Sequence, residues 1–134
     1  MTKIIDIEGI GKVYAEKLQA IGIKTVEKLL EKGAEPSGRK EIAEAIGVSP
    51  KLVLEWVNRA DLTRIKGVGE EYADLLENAG VDTVPELARR NAENLYKKMV
   101  EVNEKKNLVR QLPSQKQVAD WIEQAKKLPR VIKY

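Results

Sequence analysis

Two short glycine-containing stretches are the residues of this chain whose types and spacing could do chemistry. Residues 9–12 read Gly-Ile-Gly-Lys, and residues 67–70 read Gly-Val-Gly-Glu, 58 positions later. Each stretch leads into a predicted helix, whose first N–H groups lack intrahelical acceptors and whose dipole favours negative charge. The spacing therefore predicts two turns whose backbone amides could bind an anion such as phosphate.

The charges that flank these two turns differ. Lys12 follows the first glycine turn (residues 9–11), whereas Glu70 and Glu71 follow the second glycine turn (residues 67–69). Carboxylates at a helix N-terminus compete with an incoming anion for the same amides. We therefore expect the first turn to bind and the second to be structural. Because Glu8 and Glu16 lie among the lysines near the first turn, a purely structural role for both turns stays open.

Charge is distributed unevenly along the chain, whose net charge is +3. Residues 1–62 hold ten basic and ten acidic side chains, residues 63–88 two and six, and residues 89–134 twelve and five. The basic excess lies in the last third, where doublets at residues 97–98 and 105–106 recur after about two helical turns. A solvated, mixed-charge surface is the favoured interpretation of these lysines, and a basic face that binds nucleic acid or an acidic protein is the alternative.

The composition excludes most catalytic chemistry. The 134 residues contain no cysteine and no histidine, which removes thiolate chemistry and the commonest metal ligand and general base. We expect no enzymatic activity, cofactor, metal site or small-molecule substrate. No apolar run is long enough for a membrane helix, so we expect a cytoplasmic protein without a membrane partner. Phenylalanine is also absent, and chance, an unusual lineage, or an idealised or designed sequence would each explain this composition.

Apolar spacing elsewhere predicts short amphipathic helices. Two stripes with i, i+3, i+4, i+7 spacing each contain one tryptophan, Trp56 or Trp121, which we expect in the core rather than stacked on a base. Two further apolar groups predict a buried face on the helix after the first turn and a separate short helix. The two stripes are Val53, Trp56, Val57 and Ala60, and Val118, Trp121, Ile122 and Ala125. The buried face comprises Val13, Ala15, Leu18 and Ile21, and the short helix is marked by Leu108, Val109 and Leu112.

Polar residues before these stripes predict where the helices begin. Thr25, Ser37 and Thr83 are expected to cap helices, as are Ser49, before a proline, and Ser114. No strand-like alternation is long enough to compete, so the fold class is all-α. The chain is interpreted as a duplication, with units at residues 1–62 and 63–134 of four to five short helices each, packed as one compact body. The second unit is about seven residues longer in its middle and ends in a short tail.

The paired motif resembles the helix-hairpin-helix motif, apolar-x-Gly-apolar-Gly-x-x-x-Ala-x-x-Leu. Both copies match it, at residues 7–18 and 65–76. Nearly the whole chain further resembles an uncharacterised, domain-of-unknown-function family of tandem helix-hairpin-helix proteins, on the stretches 56–73, 108–114 and 125–129. The helix-hairpin-helix resemblance implies duplex DNA binding without sequence preference, with hairpin amides on phosphate oxygens and sometimes a monovalent cation at the hairpin carbonyls.

The resulting hypothesis is a non-enzymatic, sequence-independent module for duplex DNA. The alternative is a protein-interaction or scaffold domain whose hairpins are purely structural, and a designed scaffold without a ligand is a third reading. The candidate nucleic-acid contacts are the residues of the two turns and basic side chains of the last third: Gly9, Ile10, Gly11, Lys12, Lys66, Gly67, Val68, Gly69, Lys97, Lys98, Lys105, Lys106 and Arg110.

Overall fold

The computed structural model describes residues 3–7 and 9–134. These residues form a short 3-10 helix (Ile4–Asp6) and eight α-helices, with no β-strand among them, so the predicted all-α class is confirmed. The helices are α1 (Gly11–Ala20), α2 (Val26–Lys32), α3 (Pro36–Ile46), α4 (Pro50–Leu62), α5 (Glu70–Asn78), α6 (Val84–Ala88), α7 (Ala92–Lys106) and α8 (Gln115–Lys127).

The chain divides into two compact units, each with its own hydrophobic core. Unit 1 comprises Met1–Asp61 together with Arg130–Tyr134, and unit 2 comprises Leu62–Pro129. The stripe around Trp56 lies in the core of unit 1, and the stripe around Trp121 lies in that of unit 2. Each stripe follows the helical period, so one face of α4 packs in the core of unit 1 and one face of α8 packs in the core of unit 2.

Side-chain caps set most of the helix starts. Thr25 accepts from the Lys28 amide, and Ser49 accepts from the Leu52 amide, each at 3.1 Å. Ser114 forms the full capping box with Gln117, whose side chain accepts from the Ser114 amide at 2.8 Å. These predicted caps are confirmed because they depend only on residues three positions apart.

The predicted cap at Ser37 is wrong. Helix α3 begins at Pro36, and Glu35 is its N-cap in an extended conformation. The fixed φ of proline suits the first helical position, and its missing N–H leaves no donor unsatisfied there. Ser37 therefore lies within the first turn of α3 instead of preceding it.

The apolar face predicted for α1 is also wrong in part. Ala15 and Leu18 are buried, but Val13 is 64% exposed and Ile21 is 42% exposed. Side chains two positions apart on a helix point to nearly opposite sides, so Val13 and Ala15 cannot share one face. Ile21 lies just beyond the last helical residue, and Ile10 and Ile23 from the flanking turns fill the core instead.

Residues 107–114 of unit 2 do not form the short helix predicted there. Asn107 ends α7 in the left-handed conformation, at φ 51°. The Asn103 side chain then pairs with both backbone groups of Val109, accepting from its amide at 3.0 Å and donating to its carbonyl at 3.2 Å. An asparagine amide thus replaces the helical hydrogen bonds, and the segment is irregular, with bends at residues 110 and 111 and with Val109 buried.

The tail at residues 130–134 completes unit 1. Ile132 is 2% exposed within the unit 1 core, and the Lys133 amide donates to the Ala34 carbonyl at 2.7 Å. The buried Arg39 guanidinium donates to the Lys133 carbonyl at 2.9 Å and to the Gly33 carbonyl at 2.9 Å. Burial lowers the pKa of Arg39, and the charge of Tyr134 opposes that shift. The guanidinium thereby joins the tail to the α2–α3 connection.

Candidate functional site

The first glycine turn is a tight turn whose apolar residue points inward. The Ile10 amide donates to the Ile7 carbonyl at 3.2 Å, and the Ile10 side chain is buried. Gly9 and Gly11 are exposed, with φ of 91° and 66°. Lys12 is exposed at the start of α1. Glu8, expected from the sequence to lie among the lysines here, falls outside the described residues.

The second glycine turn repeats this arrangement with one difference. The Val68 amide donates to the Ile65 carbonyl at 3.1 Å, Val68 is buried, and Gly67 has φ of 95°. Gly69, however, is extended, with φ −93° and ψ −167°, and precedes α5 as its N-cap. The backbone of the second turn therefore requires glycine at one position rather than two.

The helices that follow the two turns begin without a side-chain cap. The N-caps of α1 and α5 are Ile10 and Gly69, which carry no polar side chain, and the Glu35 side chain does not cap α3 either. By contrast, the N-cap side chains of α2, α6, α7 and α8 each accept from a backbone amide. Since the first amides of a helix have no acceptor within it, these two turns are places where a ligand oxygen can supply one.

A tyrosine–tryptophan pair lies beneath each turn. The ring centroids of Tyr14 and Trp56 are 5.3 Å apart, and those of Tyr72 and Trp121 are 5.4 Å apart. Both tryptophans are nearly fully buried, which confirms the prediction that they belong to the core. A Cβ atom on Gly67 would come within 3.0 Å of Trp121 Nε1, so the indole supports the turn at close range. Spacing alone did not reveal this contact.

Gln124 braces the residue before the second turn. The Lys66 amide donates to Gln124 Oε1 at 2.9 Å, and Gln124 Nε2 donates to the Lys66 carbonyl at 3.1 Å. The Lys66 side chain itself is exposed. The backbone of this candidate residue is therefore already paired, and its charged side chain alone can reach a ligand.

Arg110 is the candidate residue that the structure brings to the second turn. It lines an open pocket of about 440 Å³ together with Gly67, Gly69, Glu70, Glu71, Tyr72 and Gln111. The Tyr72 hydroxyl donates to the Gln111 carbonyl at 2.9 Å, which holds the irregular segment 107–114 against the start of α5. An arginine that presents several donors thus lines the same pocket as the carboxylates that were expected to compete with an anion for the helix amides.

The lysines of α7 differ in their side-chain partners. Lys97 pairs with Glu93 at 3.2 Å, and Lys105 pairs with Glu101 at 3.7 Å. Lys106 Nζ donates to Asn78 Oδ1 at 2.7 Å on another side of the helix, while Lys98 is exposed. Adjacent residues on a helix diverge by about 100°, so each doublet is split between two directions. Exposed ion pairs contribute little stability, but their glutamates reduce the local positive potential.

A protein-family profile described as "Domain of unknown function (DUF4332)" matches residues 8–128. The chain belongs to this family. The match to DUF4332 includes both glycine turns, both tyrosine–tryptophan pairs and the segment that carries Arg110. The chain matches no curated protein and no solved structure.

The described part of this DUF4332 chain has neither a carboxylate cluster suited to a metal ion nor a membrane-spanning helix. Among residues 3–7 and 9–134, no three carboxylate side chains are grouped so that they could hold a metal ion. In the same part of the chain, no helix has the length and apolar character needed to cross a bilayer. Each unit therefore has its own candidate site: the first turn with Lys12 in unit 1, and the second turn with Lys66 and Arg110 in unit 2.

Proposed function

We propose that this chain is a tandem helix-hairpin-helix module that binds duplex DNA without sequence preference and without enzymatic activity. One observation carries the proposal. Each of the two glycine turns contains exposed glycines and a buried aliphatic residue, and the helix that follows the turn has no side-chain cap at its N-terminus. Backbone N–H groups that meet phosphates position a protein on DNA without reading the bases.

Both turns have basic side chains that support phosphate binding, Lys12 at the first and Lys66 and Arg110 at the second. Lys12 follows the first turn directly and is exposed. At the second turn Arg110 shares the pocket with Gly67 and Gly69, where it offsets Glu70 and Glu71. We therefore assign phosphate contacts to both turns, with Lys98 available as a weaker contact on α7.

The test is a fluorescence anisotropy titration of a labelled duplex at two salt concentrations. Affinity is expected to fall steeply with salt and to differ little between duplexes of unrelated sequence. Lys12→Ala and Arg110→Ala should each reduce the slope of log affinity against log salt by about one. Lys97→Ala is the matched control, because Lys97 is already paired with Glu93 and lies in α7, and it should change the slope by less.

Absence of binding at low salt would contradict the proposal, as would binding that is insensitive to salt. Equal effects of Lys97→Ala and the two turn variants would show that only overall charge matters.

A protein-interaction role is the second candidate, and one observation favours it. Val13 and Ile21 are large apolar side chains exposed on α1 and at its end. Ile21 also lines a surface pocket of about 200 Å³ in unit 1 with Ile23 and Ile42. If this surface binds a partner or a second copy, light scattering or co-purification should respond to Val13→Glu, while salt-dependent duplex binding should be absent.

A further inference from the structure

The surface pocket that contains Ile21 continues into a second pocket of unit 1. The first pocket has a volume of about 200 Å³, and the second has a volume of about 350 Å³. Lys32, Gly38 and Glu41 line both pockets, so the two form one groove along α3. The remaining lining residues are aliphatic at one end of the groove, the apolar end, and mostly acidic or polar at the other, the acidic end. They are Ile21, Ile23, Ile42 and Ala45 at the apolar end, and Glu31, Ala34, Glu35 and Ser37 at the acidic end.

The equivalent surface of unit 2 is covered by an arginine. With the 58-residue offset, Lys32 corresponds to Arg90 and Gly22 corresponds to Gly80. Arg90 Nη2 donates to the Gly80 carbonyl at 2.7 Å and lies 3.2 Å from where a Cβ atom on Gly80 would be. In unit 1, nothing in the described part of the chain lies within 4 Å of a Cβ atom built on Gly22. The turn after α1 is therefore open where the turn after α5 is covered.

The residue before this turn differs between the units in the same sense. Ile21 is 42% exposed, whereas Ala79 at the equivalent position is 3% exposed. A single exposed isoleucine is ordinary on a protein surface. Here, however, the isoleucine borders a pocket whose volume suits one aliphatic side chain, so a partner that fills the pocket also covers Ile21.

The tail of unit 1 shows which chemistry fits the acidic end. Lys133 Nζ lies 3.5 Å from Glu35 Oε1, and the Lys133 amide donates to the Ala34 carbonyl at 2.7 Å. A non-helical segment thus already brings an ammonium group to this end of the groove. The other carboxylate, Glu31, pairs with Lys28 at 3.7 Å. Both ion pairs are largely exposed and therefore weak, so a cation from a partner can exchange with either lysine.

We propose that this groove binds an extended segment of a partner protein in which an aliphatic residue stands three positions from a lysine or arginine. The aliphatic side chain fills the apolar end, and the cation pairs with the carboxylates of the acidic end. Ile42 and Glu35 are seven residues apart, which is about 10 Å along α3. An extended chain covers that distance in about three residues. The groove contains none of the residues assigned to DNA, so partner binding is a function additional to the proposed one.

The test is an NMR titration of the full ¹⁵N-labelled chain with the peptide acetyl-Ser-Leu-Ser-Ser-Lys-Ser-amide. The amide signals of α3 and of Ile23 should move saturably, with a Kd of about 1 mM for so small a contact. Replacing Leu by Ser in the peptide should weaken binding about tenfold through lost apolar burial. Replacing Lys by Glu should weaken it about fivefold through lost charge pairing. No saturable shift with the first peptide, or an equal response to all three, overturns the proposal.

A double variant closes the groove in the way that unit 2 covers its own turn. Lys28→Glu with Lys32→Arg introduces the pair that Glu86 and Arg90 form at 3.1 Å. The new guanidinium should cover the Gly22 carbonyl, and the first peptide should bind at least about tenfold more weakly. The added negative charge alone would strengthen binding of a lysine peptide, so weaker binding reports the closed groove. Unchanged or stronger binding would contradict the assignment, and if this variant does not fold, the peptide series on the unaltered chain decides.

Glu41→Lys tests the charge preference of the groove. It should weaken binding of the Lys peptide and strengthen binding of the Glu peptide, so that their order reverses. Glu93→Lys makes the same change on α7 and should alter either affinity by no more than about twofold. An unchanged order in Glu41→Lys would exclude a cation at the acidic end. A dimer in light scattering that the double variant abolishes would assign the groove to a second copy and overturn the proposed partner.

Discussion

The two glycine turns share their packed side and differ on their solvent side. In both, an aliphatic residue is buried and a tyrosine–tryptophan pair lies beneath, with interplanar angles of 52° and 49°. On the solvent side, Gly11 is left-handed where Gly69 is extended, and Lys12 stands where the second turn has Glu70. Packing on the core side therefore fixes the position of each turn, whereas the charge and the backbone conformation on the solvent side can differ.

A second difference concerns the helices that follow the turns. With the 58-residue offset, Lys17 of α1 corresponds to Leu75 of α5. Lys17 is exposed, with Nζ 5.9 Å from the Tyr14 ring centroid, whereas Leu75 is fully buried. Helix α5 packs against the 15-residue α7 in unit 2, so one position of the repeat is surface in unit 1 and core in unit 2.

The largest expected effect tests this core-versus-surface difference. Leu75→Ala should lower the free energy of unfolding of unit 2 by about 2–5 kcal/mol, because it leaves a cavity beneath α7. Lys17→Ala at the equivalent position should change that of unit 1 by no more than about 0.5 kcal/mol. Denaturant unfolding with amide hydrogen exchange resolved by unit measures both. Similar losses in the two units would contradict the core-versus-surface difference between these positions.

The tail of unit 1 gives the next largest effect. Ile132→Ala should destabilise unit 1 by about 2 kcal/mol, since Ile132 fills part of its core and the short tail can relax only partly. Tyr134→Phe is the control, because it removes only the hydroxyl that donates to Asn58 Oδ1 at 3.2 Å near the surface. Hydrogen exchange of α2 and α3 amides should accelerate in Ile132→Ala. Unchanged exchange there would argue against a structural role of the tail.

The smallest effect distinguishes the backbones of the two turns. Gly11→Ala should cost about 1 kcal/mol because alanine is strained at φ 66°. Gly69→Ala should be tolerated within about 0.5 kcal/mol, since its φ of −93° suits alanine and no atom lies within 4 Å of the added Cβ. Thermal unfolding of both variants provides the measurement. Equal destabilisation would mean that the second glycine of each turn has the same role.

Local features of the fold were predictable from the sequence. The stripe around Trp121 follows the helical period, and the Ser114 cap depends on Gln117 three positions away. The burial of Ile10 and Val68 follows from the repeated motif, in which an aliphatic residue separates two glycines. The wrong predictions lie where a single residue determined the local structure. Pro36 begins α3 one position before the cap predicted at Ser37, and Asn107 ends α7 just before the predicted short helix.

The long-range contacts of the candidate site were not predictable in the same way. Gln124 binds the backbone of Lys66 across 58 positions, and Tyr72 binds that of Gln111 across 39. These contacts depend on where whole helices pack, and neither residue pair has a spacing that marks it. The proximity of Arg110 to the second turn has the same origin, because a short helix was expected around Leu108, Val109 and Leu112 and the segment is irregular instead.

The tail that completes unit 1 also constrains the order in which the chain can fold. Arg39 and Lys133, which share a hydrogen bond, are 94 positions apart, and all of unit 2 lies between them. During synthesis the N-terminal segment emerges first, yet Ile132 reaches its core only after residues 62–129 have been made. Unit 2 is continuous in sequence, so all of its contacts can form before residues 130–134 have been made. Unit 1 therefore cannot complete its core until the whole of unit 2 has been synthesised.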